Sequence, residues 1–250
     1  MNEVVLYEEL SMNAHPAVQT NLYDGWILRF ANGHTNRANS VNMLYPSSID
    51  IASKIKFCEK AYTSCGLATV FKITPLSSND LDMLLEKRGY EKITPTNLMI
   101  KHIETNDMSG SNVIISDTVT KTWQDDYFRL NGITDEARVA TNRIIQANIR
   151  NKVLCASIVE DGITIASGFC VIEREYAGLF EIIVDSNHRR KGLGFDICAS
   201  LLNRAFDEGA RFAYLQVVED NTQAIELYHK LGFSKCYQYW YRVKGDFVTV

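Results

Sequence analysis

The stretch VDSNHRRKGLG, residues 184–194, decides how the second half of the chain folds. Before it, LFEIIVD (179–185) is a short apolar run typical of a buried strand. After it, apolar residues recur at three-to-four spacing from Gly192 to Glu208, and Gly209 ends the pattern as a helix-terminating glycine does. The stretch is therefore predicted to be a strand-to-helix loop with basic residues and two glycines.

This loop has the residues of an anion-binding site. The N-terminus of a helix presents unpaired N–H groups and the positive end of the helix dipole, and glycine lets the backbone approach an anion closely. Arg189, Arg190 and Lys191 add positive charge. The loop predicts a phosphate or pyrophosphate ligand. The alternative is a turn with a solvated basic patch, and the loop alone does not decide between them.

The elements around the loop predict an α/β domain. Asp161-Gly162 is a two-residue hairpin turn between two strands. The predicted elements are strands at 152–160, 163–173, 179–185 and 212–218, and helices at 123–130, 134–149, 192–208 and 222–231. Hairpin, strand, helix, strand, helix and strand therefore follow one another.

Composition places the chain among folded proteins. It has 250 residues, of which 46% are hydrophobic and 22% are charged, so it can bury a core. The 26 Lys and Arg against 30 Asp and Glu give a net charge of −4, which disfavours a nucleic-acid partner. No apolar run approaches the ~18 residues of a membrane span, and MNEVVLYEELS lacks the basic and apolar regions of a signal peptide. We therefore expect a cytoplasmic protein without a membrane partner.

The six cysteines lie far apart and form no metal-binding or disulfide pattern. We expect reduced, mostly buried thiols and no metal site. The cysteines are Cys58, Cys65, Cys155, Cys170, Cys198 and Cys236.

The first half repeats the glycine landmarks of the second half at one offset. Three pairs of glycines are each 143 residues apart, with similar neighbours: Gly25 and Gly168, Gly66 and Gly209, and Gly89 and Gly232. We therefore predict two related domains, at 1–105 and 112–250, joined by the polar linker Glu104–Ser111.

Two motifs together resemble the acetyl-CoA-binding core of the GCN5-related N-acetyltransferase (GNAT) superfamily. They are RxxGxG at 189–194 and NxxAxxxYxxxGF at 221–233. The resemblance implies two GNAT-like domains, each with a mixed, mostly antiparallel sheet flanked by helices, and acetyl-CoA as cosubstrate. In that family the loop amides bind the pyrophosphate, and the preceding strand and the second motif contact the pantetheine arm. The implied cofactor-binding residues are Ile182, Ile183, Val184, Arg189, Arg190, Lys191, Gly192, Leu193, Gly194, Asn221, Ala224 and Tyr228.

The first half lacks the residues of the pyrophosphate loop. Pro46, Ile49 and Ile51 stand at the offset of Arg189, Gly192 and Gly194. Proline removes a donor and isoleucine adds a branched side chain, so we expect a degenerate domain that does not bind pyrophosphate.

A polar stretch within the first half, WILRFANGHTNRANSV, has two interpretations. It is either a solvated loop or a segment that supplies substrate contacts or packs against the second copy. Its polar residues are Arg29, His34, Asn36, Arg37 and Asn39.

Tyr228 is the candidate general acid. Its position in the resemblance lies near the CoA sulfur, and a tyrosine pKa near ~10 keeps the phenol protonated at pH 7. It also falls on the apolar stripe of its predicted helix, so a purely packing role is the alternative.

Glu181 is the candidate general base, because a carboxylate in an apolar strand is costly unless it is hydrogen-bonded or faces a cleft. Gln216 stands where a number of family members have an acid, and a water chain could replace a single base. Glu219 and Asp220 are expected to be loop or cap residues before the last helix, and His188 is expected to tune charge near the cofactor.

The prediction is a cytoplasmic N-acetyltransferase that moves an acetyl group from acetyl-CoA directly to a primary amine. The acceptor amine stays open, as does the choice between monomer and homodimer. The alternative is a non-catalytic acyl-CoA-binding or sensing protein, which the glutamine at 216 favours and the tyrosine at 228 disfavours.

Overall fold

A computed structural model describes residues 2–104 and 112–244. The chain divides into two compact units, which we call unit 1 and unit 2. Unit 1 comprises Met1–Asn97, Ile144–Ile149 and Tyr237–Val250, and unit 2 comprises Leu98–Arg143 and Arg150–Cys236. Each unit contains a sheet with helices, so the predicted α/β class is confirmed.

The elements alternate between strand and helix in both halves of the sequence. The first half contains α1 (Glu3–Ala14), β1 (Gln19–Tyr23), β2 (Trp26–Phe30), β3 (Val41–Met43), α2 (Ile51–Ser64), β4 (Thr69–Ile73), α3 (Asn79–Lys87) and β5 (Glu91–His102). The second half contains β6 (Ile114–Ser116), α4 (Lys121–Leu130), α5 (Glu136–Ala147), β7 (Lys152–Glu160), β8 (Ile163–Glu173), β9 (Tyr176–Val184), α6 (Leu193–Asp207), β10 (Phe212–Val218), α7 (Thr222–Lys230) and β11 (Ser234–Lys244). A short 3₁₀ turn, Ser186–His188, precedes α6.

The sheet of unit 1 has the order β1-β2-β3-β4-β11. The pairs are antiparallel except for β3 with β4, which is parallel. Its last strand is the end of β11, in which Trp240 pairs with Ile73 and Lys244 pairs with Thr69. The final strand of this sheet therefore comes from the C-terminal end of the sequence.

The sheet of unit 2 has the order β5-β10-β9-β8-β7-β6. The pairs from β6 to β9 are antiparallel, and β9 with β10 is parallel, as expected for a mixed, mostly antiparallel sheet. The end of β5, which belongs to unit 2 from Leu98, lies beside β10, and the Ile103 N–H donates to the Arg211 carbonyl at 2.8 Å. Each sheet thus takes one strand from the other half of the sequence.

These strand assignments bear on the predicted domain boundaries. The chain passes from unit 1 to unit 2 within β5, after Asn97, and returns within β11, at Tyr237. Between these points, Ile144–Ile149 also belongs to unit 1. Of the predicted linker, only Glu104 is described, and residues 105–111 lie outside the described residues. The ranges 1–105 and 112–250 therefore stay a prediction about the origin of the two halves rather than a description of the compact units.

Most predicted elements of the second half are confirmed within three residues at their ends. The Asp135 carboxylate accepts a hydrogen bond from the Arg138 N–H at 2.7 Å, so this aspartate caps the first turn of α5 as predicted. The Thr120 hydroxyl does the same for Trp123 at the start of α4, at 3.1 Å. In the described residues, no helix is both long and apolar enough to span a bilayer.

One of the three repeat landmarks is wrong. Gly25 lies in the β1–β2 turn with Asp24, where both residues have positive φ, at 77° and 41°. Gly168 instead lies within β8, and a Cβ there would overlap Ile197 of α6. The structural counterpart of Asp24-Gly25 is the β7–β8 turn Asp161-Gly162, with φ of 51° and 78°. The other two landmarks are confirmed, since each glycine follows a helix with φ between 68° and 96°.

The polar stretch of the first half is not a solvated loop. Arg29, His34 and Asn39 are buried. The Arg29 guanidinium donates to the carbonyls of Met12 and His15 at the end of α1 and to the Arg37 carbonyl, and burial lowers its pKa to about 10. The side chains of Arg29 and Asn39 satisfy backbone groups inside unit 1, which is why these two polar residues are buried.

Candidate active site

A cavity of about 610 Å³ lies at the N-terminal end of α6, entirely within unit 2. It is bounded by the end of β9, the loop before α6, and one side of α7. Its lining residues are Ile182, Ile183, Val184, His188, Arg189, Arg190, Gly192, Leu193, Gly194, Phe195, Asn221, Gln223, Ala224, Glu226, Leu227, Tyr228 and Lys230. Of the predicted site residues, all except Lys191 and Glu181 line this cavity.

A β-bulge in β9 opens the sheet at the cavity. The register between β8 and β9 shifts at Gly168, which faces two residues of β9, Glu181 and Ile182. Glu181 has φ of +54°, in the left-handed region that a non-glycine residue rarely adopts. Among the described pairs, β9 and β10 last pair at Leu179 with Leu215. The rest of β9 therefore has one backbone edge that faces the cavity rather than β10.

The loop before α6 presents backbone donors to the cavity. Gly192 is the N-cap of α6 with φ of +84°, and no side chain caps this helix. The amides of Phe195 and Asp196 bond to the Gly192 carbonyl, whereas those of Gly192, Leu193 and Gly194 have no acceptor among the described residues. A Cβ at Gly192 would meet nothing within 4 Å, so the space beside the Gly192 backbone is open. Free donors at a helix N-terminus are the groups that the anion site predicted from the loop sequence requires.

Two side chains of the loop, Arg189 and His188, contact polar groups of unit 2. The Arg189 Nε donates to the Val184 carbonyl at 3.3 Å, which folds the loop back against the end of β9. Both ring nitrogens of His188 face carboxylates, Nδ1 that of Asp185 at 3.1 Å and Nε2 that of Glu160 at 2.9 Å. The His188 ring and the backbone N–H of Asn187 hold the pKa of the Asp185 carboxyl below its usual range. His188 therefore lies at the cavity, and its charge-tuning role stays a prediction.

The start of α7 forms the opposite wall. The Asn221 side chain accepts a hydrogen bond from the Ala224 N–H at 3.1 Å and so caps this helix. An asparagine at this position thus has a structural role, besides the cofactor contact that the resemblance implies. The sequence analysis did not predict five of the lining residues. Four of these lie on α7 and follow from helical spacing once Ala224 and Tyr228 are placed. The missed residues are Phe195, Gln223, Glu226, Leu227 and Lys230.

Tyr228 is buried in the wall of the cavity, with 8% of its surface exposed. Its ring packs edge-on against Phe233, with centroids 6.1 Å apart. Among the described residues its phenol has no hydrogen-bond partner. Burial raises the pKa of Tyr228 above its usual value, and the nearby Cys198 adds to the effect. The phenol is therefore protonated at neutral pH and available as a donor.

Glu181 does not line the cavity, although Ile182 beside it does. The bulge turns the Glu181 side chain toward α4, where its Oε2 accepts a hydrogen bond from the Tyr127 hydroxyl at 2.5 Å. Gln216 in β10 is half-buried. No signal in the sequence pointed to Tyr127, because its partner lies 54 residues away and is reached only through the bulge.

The corresponding helix start in unit 1 is occupied by carboxylates of the chain itself. Asp50 is the N-cap of α2, and its side chain accepts from the Ser53 N–H at 2.9 Å. Asp24 accepts from the backbone N–H groups of Ser48 at 3.0 Å and Ile49 at 2.8 Å, and pairs with the buried Lys54 at 3.1 Å. These backbone hydrogen bonds hold the pKa of Asp24 well below its usual range. Two acidic groups therefore stand where the loop of unit 2 has free donors.

The family follows from the sequence comparison. Residues 3–242 match the model of the family described as "Probable histone acetyltransferase Rv0428c C-terminal". The chain belongs to this acetyltransferase family. It is an acyltransferase, as the two motifs predicted, and its fold is that of GNAT proteins.

Individual relatives agree with this assignment. The chain is 29% identical, over 98% of its length and 100% of the relative, to an uncharacterized N-acetyltransferase, YobR, of Bacillus subtilis. A GCN5-related N-acetyltransferase from Kribbella flavida has a similar structure, with a TM-score of 0.73 at 14% identity over 98% of this chain and 97% of that one. A tandem GNAT protein from the clavulanic acid biosynthesis pathway gives a TM-score of 0.68 at 11% identity over 95% and 86% of the two chains. These two structures show the shared fold.

Proposed function

We propose that unit 2 of this tandem GNAT protein binds acetyl-CoA and transfers its acetyl group directly to a primary amine. The observation that carries the proposal is one cavity that combines free helix N-terminal amides, an open strand edge and a buried, protonated phenol. The proposal includes the cytoplasmic location expected from the sequence.

The residues of the cavity fit the chemistry of CoA. The amides of Gly192, Leu193 and Gly194, with the nearby arginines, would hold a pyrophosphate. The free backbone edge at Ile182–Val184 would pair with the amide groups of the pantetheine arm, much as a strand would. When bound, acetyl-CoA supplies an activated acetyl thioester.

Two side chains of unit 2 are proposed to move protons during the transfer. Glu181 accepts the proton that the amine loses as its nitrogen bonds to the acetyl carbon. Tyr228 donates a proton to the sulfur as the carbon–sulfur bond breaks. The products are an N-acetylamine and free CoA, and solvent restores both side chains to their starting forms.

A binding assay and a turnover assay test the proposal separately. Acetyl-CoA at 100 times its Kd should stabilise the protein by about 2.7 kcal/mol, measured by denaturant unfolding. Release of free CoA should then require an amine, screened among a diamine, an aminoglycoside, a peptide with a free N-terminus and a lysine peptide. Absence of any stabilisation would contradict the assignment of the cavity, whereas stabilisation without amine-dependent release would contradict the transfer alone.

The same proposal predicts that unit 1 binds no acetyl-CoA. Replacing Asp24 with asparagine leaves the buried Lys54 without its carboxylate, so unfolding should become easier at neutral pH. Because the pKa of Asp24 is lowered in the folded state, its contribution is present above about pH 4 and is lost as the pH falls below that. The Kd for acetyl-CoA should stay unchanged in this variant and in Ile49→Ser.

Isothermal titration measures this prediction directly. Wild type and both variants should each bind one molecule of acetyl-CoA per chain. A second binding event in wild type, or loss of binding in a variant that still unfolds cooperatively, would show that unit 1 takes part in the site.

A further inference from the structure

Glu181 is held in an unusual backbone conformation. It is the extra residue of the bulge in β9, and its φ of +54° is one that glycine adopts far more easily. Strained non-glycine residues cluster at functional sites, where the surrounding structure must hold them in place. The strain at Glu181 therefore indicates a functional role for the group that its carboxylate contacts.

That group is the hydroxyl of Tyr127, on α4. Tyr127 is 5% exposed, and its ring stacks on Trp123 with centroids 5.8 Å apart and planes within 5°. The Trp123 indole in turn donates to the Ala156 carbonyl in β7 at 3.2 Å. Packing on Trp123 thus fixes the Tyr127 ring independently of its hydrogen bond to Glu181.

The two carboxylate oxygens of Glu181 differ in their hydrogen bonding. The Tyr127 hydroxyl occupies Oε2 at 2.5 Å, whereas Oε1 has no partner among the described residues. Glu181 forms no ion pair among the described residues. Two charged residues of α4, Asp126 and Arg129, pair with each other at 3.2 Å, and both bond to Thr164 of β8. Among the described residues, Tyr127 is therefore the one group that holds this carboxylate by a hydrogen bond.

We propose that Tyr127 is a positioning residue that holds Glu181 so that Oε1 can take the proton of the acceptor amine. The inference rests on the proposed function, in which Glu181 is the base. Tyr127 keeps its own proton and does not line the cavity. A small misplacement of a catalytic group can cost up to ~10²-fold in rate, so the hydroxyl is worth a measurable factor.

Tyr127→Phe removes the hydroxyl and keeps the stacked ring. We expect kcat at pH 7 to fall about 10-fold with an unchanged Kd for acetyl-CoA. The deficit should shrink as the pH rises, as in Glu181→Gln, because more of the amine is then already neutral. The double variant Tyr127→Phe/Glu181→Gln should match Glu181→Gln within about 2-fold, since a positioning residue has no effect once its base is gone. A pH-independent loss, or one that multiplies with that of Glu181→Gln, would overturn the proposal.

Tyr45→Phe is the matched control. The Tyr45 hydroxyl donates to the Glu9 carboxylate at 2.9 Å, but this tyrosine–glutamate pair is exposed and lies in unit 1. Its removal should leave kcat and the pH profile unchanged.

A spectroscopic measurement keeps this inference distinct from the proposed function. The Tyr127 hydroxyl proton should give a downfield, slowly exchanging NMR resonance that is absent in Tyr127→Phe, displaced in Glu181→Gln and retained in Tyr45→Phe. A wild type that binds acetyl-CoA but acetylates no amine contradicts the proposed transfer. A missing resonance, or an active Tyr127→Phe with normal kcat, contradicts the positioning role alone.

Discussion

Replacing Tyr228 with phenylalanine is expected to lower kcat by ~10²- to 10⁴-fold, the usual contribution of a general acid. The departing thiolate loses its proton donor, whereas the ring that packs on Phe233 is retained. Because burial raises the pKa of Tyr228, the wild-type phenol stays protonated throughout the physiological pH range and its loss should matter equally across that range. Steady-state kinetics with a saturating amine, together with the Kd for acetyl-CoA, measure the effect.

A buried tyrosine of unit 1 supplies the control. Tyr90 is 2% exposed, its hydroxyl donates to Glu59 at 3.0 Å, and burial raises its pKa as well. Tyr90→Phe should therefore lower stability without lowering kcat. A Tyr228→Phe enzyme that keeps more than about half of its kcat would show that Tyr228 serves packing only, because loss of a proton donor should cost at least ~10-fold.

Replacing Gly192 with valine should abolish the stabilisation of the protein by acetyl-CoA. At 100 times the wild-type Kd the ligand adds about 2.7 kcal/mol to the free energy of unfolding, and the variant should lose nearly all of it. The valine side chain would enter the open space beside the Gly192 backbone, which lines the cavity where the pyrophosphate is proposed to bind. Gly194→Val should act in the same way, with additional crowding of Leu227, whose Cδ2 would lie 3.3 Å from the new Cβ.

Gly209→Val separates ligand exclusion from backbone strain. Gly192 and Gly209 have φ of +84° and +96°, and a Cβ at either position meets nothing within 4 Å. Valine therefore strains the backbone at both ends of α6, by ~1–2 kcal/mol or more at each. Gly209→Val should unfold more easily than wild type but keep the full increment from acetyl-CoA. Equal increments in the Gly192 and Gly209 variants would place the pyrophosphate elsewhere.

The sequence by itself determined the local parts of the site. The loop at 184–194, the helix that follows it and the cap at Asp135 depend on residues close in the chain, so spacing, glycine positions and capping residues predict them. The same holds for the turn Asp161-Gly162, where both residues adopt positive φ. The resemblance then supplied the family, because both motifs are contiguous in sequence.

The tertiary structure alone decided the parts that depend on distant residues. The strand that completes each sheet comes from the other half of the sequence. The pattern of apolar residues in a strand does not specify which strand it pairs with. The apolar sequence of β9 does not indicate that a bulge forms at Glu181. The bulge nevertheless reverses the direction of the Glu181 side chain and brings it to Tyr127. Asp24 reaches the amides of Ser48 and Ile49 only because a hairpin turn and a helix start meet in unit 1. In each case the deciding interaction joins groups that are 20 or more residues apart, so its geometry exists only once the sheet has formed.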